Sequence, residues 1–272
     1  MLRCGRFTLP LERPLLMGVV NVTPDSFSDG GRFLDPQAAA AQARRLIEEG
    51  ADLIDIGGES SRPGAAPVSE QQELDRVLPV LEKVSKLEKP VSVDTRRPNV
   101  MKAAIAAGAS MINDIQALGA PWAHEVVANS KCAVCLMHMK GEPRTMQQAP
   151  HYDDVAREVK VFLKDAVRKA MFAGIGKDRI VADPGFGFGK TAAHNLELLR
   201  NLSQLQDLGV PLLVGVSRKS TIGAVTGRPV EERLAGSLAM ALLALQGGAT
   251  ILRVHDVKET KDVIAVWQAF QQ

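Results

Sequence analysis

VSVDTRRPNVMKAAIAAGASMIND, residues 91–114, contains a complete strand–helix–strand unit. Residues 91–94 form a short β-branched run that closes on the carboxylate of Asp94, and residues 111–114 form a second apolar run that closes on Asn113 and Asp114. Between them Pro98 opens a helical stretch and Gly108 ends it, as expected for proline in a first turn and glycine past a last one. Working outward, the same pattern recurs at 15–21 (ending on Asn21), 52–55 (Asp55, leading into Gly57-Gly58-Glu59) and 133–138 (His138). It recurs again at 180–183 (Asp183), 212–217 (Ser217) and 251–255 (His255). Eight strand–helix alternations predict an α/β fold, a (β/α)8 TIM barrel, whose C-terminal strand ends carry the chemistry. The polar endings then face one pocket.

The helices between the runs have clear boundaries. Asp35 caps the first, Pro36 sits in its first turn and Gly50 stops it; Ser69 opens a second with Leu74, Val77, Leu78 and Leu81 at helical spacing. Residues 153–173 form the longest periodic stretch, and later helices are expected near 195–208, 229–246 and 258–270. One domain spans 1–272, with residues 1–14 as a short extended segment closing the N-terminal end of the barrel. The loops at 22–34, 57–68 and 139–152 are long and rich in Gly, Pro, Asp and Ser, and three long loops on one face predict a substrate that is enclosed. The first, with Asp25, Asp29 and Gly30-Gly31, suits a lid.

A net charge of +2 gives no reason to expect nucleic acid or membrane as a partner. The N-terminus lacks a signal-peptide core, no segment approaches a membrane span, and three cysteines fit a reducing compartment, so a cytoplasmic protein is expected. Cys132 and Cys135 form a CxxC, but residues three apart in a strand point to opposite faces, which argues for packing rather than redox or zinc chemistry.

Several endings have more than one reading. Asn21 is either an Asx turn closing its strand or a hard amide ligand suited to Mg2+ or phosphate. Arg62, biased to extended backbone by Pro63 and flanked by glycines, is placed for bidentate contact with phosphate or carboxylate. Asp94, Asn113 and Asp183 each end a run expected to be buried, and together they can read a planar heterocycle with several N–H donors. In DPGFGFGK (183–190) the glycines are spaced GxGxG, without the dinucleotide fingerprint, and the Phe residues can wall a flat ligand. Lys219 supplies a point charge and Ser220 an anion contact at a helix start. Arg253 and His255, two apart in a strand, share a face and, beside the Asn21 amide, make a candidate diphosphate site. His138 is read as structural, and His124, His151 and His194 as surface residues.

NVTPDSFSDGG (21–31), GGESSRPG (57–64), DPGFGFGK (183–190), SRKS (217–220) and RVHD (253–256) together resemble the dihydropteroate synthase family of folate biosynthesis, in order and over nearly the whole chain. The resemblance implies a transferase that joins 6-hydroxymethyl-7,8-dihydropterin diphosphate to 4-aminobenzoate, with Mg2+ as cofactor and a homodimer as the assembly. It implies that Asp94, Asn113, Ile115, Asp183, Phe188 and Lys219 hold the pterin, and that Asn21, Arg62, Arg253 and His255 hold diphosphate, Asn21 also serving the metal. Ser61, Arg62, Pro63, Lys219 and Ser220 would contact 4-aminobenzoate. Catalysis would fall to Arg62, Asp94, Asp183, Lys219, Arg253 and His255. One departure is that Ser61 stands where the family has threonine, which keeps the hydroxyl and loses a β-branch.

The resemblance implies departure of diphosphate through a carbocation, which needs no protein nucleophile, and the sequence offers no Ser–His–Asp or Cys–His arrangement. Two rivals remain open from the residues: a pterin-binding methyltransferase, which would not need Arg62, Ser220 and Arg253, and a non-catalytic pterin-binding homologue.

Overall fold

In a computed structural model of the chain, residues 1–22, 35–59 and 68–271 are described. An antiparallel hairpin, β1 (Leu2–Cys4) and β2 (Phe7–Leu9), precedes the barrel. The barrel strands are β3 (Leu15–Asn21), β4 (Leu53–Gly57), β5 (Val91–Asp94), β6 (Met111–Asp114), β7 (Ala133–Met137), β8 (Ile180–Asp183), β9 (Leu213–Val214) and β10 (Ile251–Val254). All pair in parallel, in the order β8-β7-β6-β5-β4-β3-β10-β9, and an Ala182–Leu212 bridge closes the circle between β8 and β9. The fold is the expected (β/α)8 barrel.

The helices around it are α1 (Pro36–Glu49), α2 (Glu70–Val84), α3 (Pro98–Ala106), α4 (Ala123–Ala128), α5 (Val155–Phe172), α6 (Ala192–Arg200), α7 (Ser220–Thr226), α8 (Leu234–Gln246) and α9 (Val257–Gln271). The caps act as their chemistry dictates. Asp35 accepts from the Gln37 amide at 2.8 Å, while Ser69 and Gln72 form a reciprocal capping box. Gly50 ends α1 at φ 115°, a backbone that favours glycine.

Four elements differ from expectation. The strand expected at 52–55 runs on to Gly57, because Asn21 and Asp94 continue the ladder on either side. The run at 212–217 leaves the ladder after Val214, and Ser217 bonds laterally to His255 instead. The helix expected at 195–208 is α6 followed by a 3-10 stretch, Leu202–Leu208; the one expected at 229–246 begins at Leu234, after a 3-10 turn at Val230–Glu232. The short α4 and α7 carry weak sequence signals, having only six and seven residues.

Alternate strand residues separate two apolar layers. Outward residues such as Val20, Ile54, Ile56, Val93 and Ile112 pack under the helices. Inward residues Leu15, Met17, Leu53, Met111, Cys135, Val181, Leu213 and Ile251 fill the barrel's lower interior with Leu2 and Cys4. The N-terminal hairpin therefore plugs the bottom of the barrel, leaving the C-terminal end for function.

Candidate functional site

In-register neighbours on a sheet project to the same side, so the ladders show which side chains share the interior. Asn21 pairs with Gly57, Gly57 with Asp94, Asp94 with Asn113, and Asn113 with Cys135. Farther round, Met137 pairs with Asp183. Gly57 leaves a gap in this row: a Cβ there would stand 3.8 Å from both Asn21 Oδ1 and Asp94 Cβ. The neighbouring Asp114 stays out of the pocket, its carboxylate accepting from the Gln116 and Leu118 amides to close β6.

Arg253 reaches across the mouth. Its Nε donates to Asp55 Oδ2 at 2.7 Å, and its Nη2 donates to Asp94 Oδ2 at 3.3 Å. Asn113 Nδ2 also donates to Asp55 Oδ2, at 3.3 Å. Asp55 is fully buried, and Asp55 Oδ1 and Asn113 Oδ1 lack a hydrogen-bond partner among the described residues. Sequence reasoning placed Asp55 at a strand end but gave it no role. Its position two residues after the inward-facing Leu53 is the signal that could have found it.

Burial shapes the protonation of this group. Asp94 is pushed up to about 7 by burial and by Asp55, with Arg253 pulling the other way. Asp183 is raised mainly by burial, although its Oδ1 accepts from the Gly185 amide at 2.7 Å. Lys219 is lowered to about 8 by burial, against Asp183. Its Nζ donates to Phe186 O and lies 4.6 Å from the Phe188 ring centre. Buried acids and bases gathered at one end of a barrel add little stability and mark a candidate functional site.

The other described candidates lie at the same ends of the strands. Ile115 is 7 % exposed two residues past Asn113. His255 places Nδ1 3.0 Å from Ser217 Oγ. Arg218, at φ 56°, forks onto Asp256, which fixes the turn leading to Lys219. Ser220 is the exposed first residue of α7. Ser61, Arg62 and Pro63, like Asp25 and Asp29, lie outside the described residues. The residues flanking that second segment meet at Arg97, which donates to Glu59 (3.0 and 3.2 Å), to Val68 O (2.7 Å) and to the buried Glu73. Cys132 and Cys135 are both free and do not meet: Cys132 donates to Ala109 O, whereas Cys135 lies inside the barrel.

Residues 17–255 match the pterin-binding enzyme family. The chain is 50% identical to the dihydropteroate synthase of Haemophilus influenzae over 262 residues, covering 96% of this chain and 95% of that one. Among solved structures, Xanthomonas albilineans dihydropteroate synthase with 4-aminobenzoic acid superposes with TM-score 0.91 at 56% identity, covering 97% of this chain and 95% of that one. The complex of the same bacterium's enzyme with 7,8-dihydropteroate gives TM-score 0.91 at 53% identity, with 99% and 98% coverage. A barrel whose mouth gathers Asp94, Asn113, Asp183, Lys219 and Arg253, together with likeness along almost its full length, leads to one conclusion: the chain belongs to the dihydropteroate synthases, within the pterin-binding enzymes.

Proposed function

We propose that the barrel mouth carries out this family's transferase reaction as follows. The reaction joins 6-hydroxymethyl-7,8-dihydropterin diphosphate to 4-aminobenzoate, giving 7,8-dihydropteroate and diphosphate. The observation that carries the assignment of roles is the inward-facing set Asp94, Asn113, Asp183, Lys219 and Arg253 around one opening. Asp94, Asn113, Ile115, Asp183, Phe188 and Lys219 hold the pterin, a ring rich in N–H donors that suits buried carboxylate and amide oxygens. Arg253 and His255, with Asn21 and Arg62, hold diphosphate. Ser61, Arg62, Pro63, Lys219 and Ser220 receive 4-aminobenzoate.

Among the described residues no group of three His, Cys, Asp or Glu side chains could hold a metal ion. Mg2+ commonly binds through substrate phosphates, several waters and only one or two protein ligands, so the Asn21 oxygen at the mouth fits a cation that enters with diphosphate. Bound there, Mg2+ would neutralise charge on the departing diphosphate. The chain's own residues supply the rest. As the methylene C–O bond breaks, its electron pair leaves with diphosphate, and Arg253 and His255 face that growing negative charge. Asp94 and Asp183 favour the positive charge left on the pterin. The aminobenzoate nitrogen then bonds the methylene and loses a proton. Positioning and electrostatics suffice, with no covalent intermediate on the protein.

A homodimer is supported by exposed apolar side chains on the last two helices, which pack side by side: Leu234 and Leu243 on α8, Val266 and Phe270 on α9. A cytoplasmic location agrees with three free, buried thiols. The test of function is diphosphate release from both substrates with Mg2+. Absence of release where an established synthase turns over would refute the reading.

A further inference from the structure

The loop after β8 is held by its carbonyl oxygens. Gly185 O and Phe188 O accept from Lys190 Nζ at 2.8 and 3.2 Å, and Phe186 O accepts from Lys219. Gly187 O accepts from Gln147, and Gly189 O accepts from Tyr152 Oη at 2.9 Å. Five successive carbonyls therefore each receive a side-chain donor. Only glycine fits this path: a Cβ on Gly185 would stand 1.9 Å from His138 O, and one on Gly189 2.2 Å from Lys140 O, both at positive φ.

Lys190 is the centre of this arrangement. It is only 2 % exposed and lowered to about 7 by burial, with Asp183 pulling the other way; protonated, its three N–H donors meet three acceptors, the third being His138 Nδ1 at 2.9 Å. Burial and Lys190 keep the His138 imidazole neutral, and the tautomer with its proton on Nε2 lets Nδ1 accept from the lysine. The His138 amide donates to Asp183 O at 3.0 Å, tying the end of β7 to the end of β8. The three carbonyls nearest the site are thus shared between two lysines, one of which points into it.

Resting on the proposed roles of Lys219 and Phe188, we infer that Lys190, seated on His138, is a positioning residue that sets the β8 loop so that the Phe188 ring meets the pterin and the Lys219 ammonium is held where both substrates reach it. Lys190 touches neither substrate. It acts by fixing Gly185 O and Phe188 O, which bracket the Phe186 carbonyl that Lys219 grips. This gives His138, the strand ending without a part in the reaction, its function as the acceptor beneath the lysine.

Lys190→Met removes the donors at similar length. In the full-length enzyme, KM for 4-aminobenzoate is expected to rise by about tenfold or more, because misplacement of a positioning group by about an ångström is costly. Pterin affinity by calorimetry is expected to fall by less, since Asp94, Asn113 and Asp183 remain while Phe188 and Lys219 shift. Amide hydrogen exchange across 184–190 is expected to quicken, a readout independent of turnover. A lysine serving stability alone would lower the melting temperature and the active fraction while leaving KM and loop exchange unchanged, and that result would overturn the inference. If Lys190→Met does not fold, His138→Leu decides by the same measurements, with smaller changes in the same direction supporting the inference and none refuting it. Wild-type enzyme without diphosphate release, but with loop exchange that responds to Lys190→Met, would overturn the functional reading while leaving Lys190's hold on the loop intact.

Discussion

Replacing Asp94 with asparagine separates what this carboxylate costs the fold from what it gives the site. Burial and the nearby Asp55 raise Asp94 from 3.8 to about 7. Between those values the folded chain keeps a proton that the unfolded chain has released. The associated stability is therefore full below about pH 4 and falls away as pH rises to 7. At about 1.4 kcal/mol per unit, the two units from pH 5 to 7 set a ceiling of ~3 kcal/mol. The side chain is 18 % exposed, so water moderates the effect, and ~1–2 kcal/mol is the expected size. Asparagine keeps the shape and one acceptor but does not titrate. Asp114, raised to about 6, and Asp183 titrate in both proteins and largely cancel in the difference. Urea unfolding of the ligand-free proteins at pH 5 and pH 8 measures it. Asp94→Asn should gain on wild type by that amount at the higher pH while binding pterin more weakly. Parallel pH profiles for the two proteins would refute the account of a buried, protonated Asp94.

Two further outcomes are expected. Arg97→Met leaves Glu73, 1 % exposed, without its cation, and should cost ~3–5 kcal/mol in urea unfolding; a loss below ~1 kcal/mol would mean that Glu73 is satisfied by other groups. Leu243→Glu places a charge on the exposed apolar surface of α8 and should shift sedimentation from dimer to monomer; a wild-type chain that sediments as a monomer at micromolar concentration would dispose of the dimer.

The barrel was legible because its strands obey a period of two and stop on polar residues. Asp94, Asn113 and Asp183 follow from that rule alone, and the ladders bring Asp94 and Asn113 side by side. Asp55 escaped because its run was ended at the aspartate, whereas the strand continues to Gly57 and makes Asp55 an interior residue. Its partner Arg253 lies 198 positions away, a pairing that only barrel closure creates. His138 and Lys190 escaped for a similar reason. Each looks ordinary in its own segment, and their joint role appears only when β7 and β8 lie side by side. Arg97 gave no local signal either, since the acceptors that define it come from two other stretches, Glu59 after β4 and Val68 and Glu73 around the start of α2.

The interior divides along the barrel axis. Below, Leu2, Leu15, Met17, Leu53, Met111 and Ile251 form an apolar plug that water does not reach. Above it, the described part of the mouth holds Asp55, Asp94 and Asp183 against Arg253 and Lys219. Burial raises Asp94 and Asp183 in the free site, with Asp55 adding to the rise at Asp94 and Lys219, Arg253 and Lys190 pulling Asp183 the other way. Such a pocket favours whatever brings positive charge close to the two aspartates. A neutral pterin supplies hydrogen bonds but little charge. A pterin losing diphosphate supplies both, and at the moment of bond breaking. On the proposed roles, the cost of burying these carboxylates is offset more in the transition state than in the bound substrate, which is the differential that accelerates a reaction. The apolar plug below lets the fold carry this cost above, because the groups that hold the barrel together and the groups that drive the chemistry occupy separate layers of the same strands.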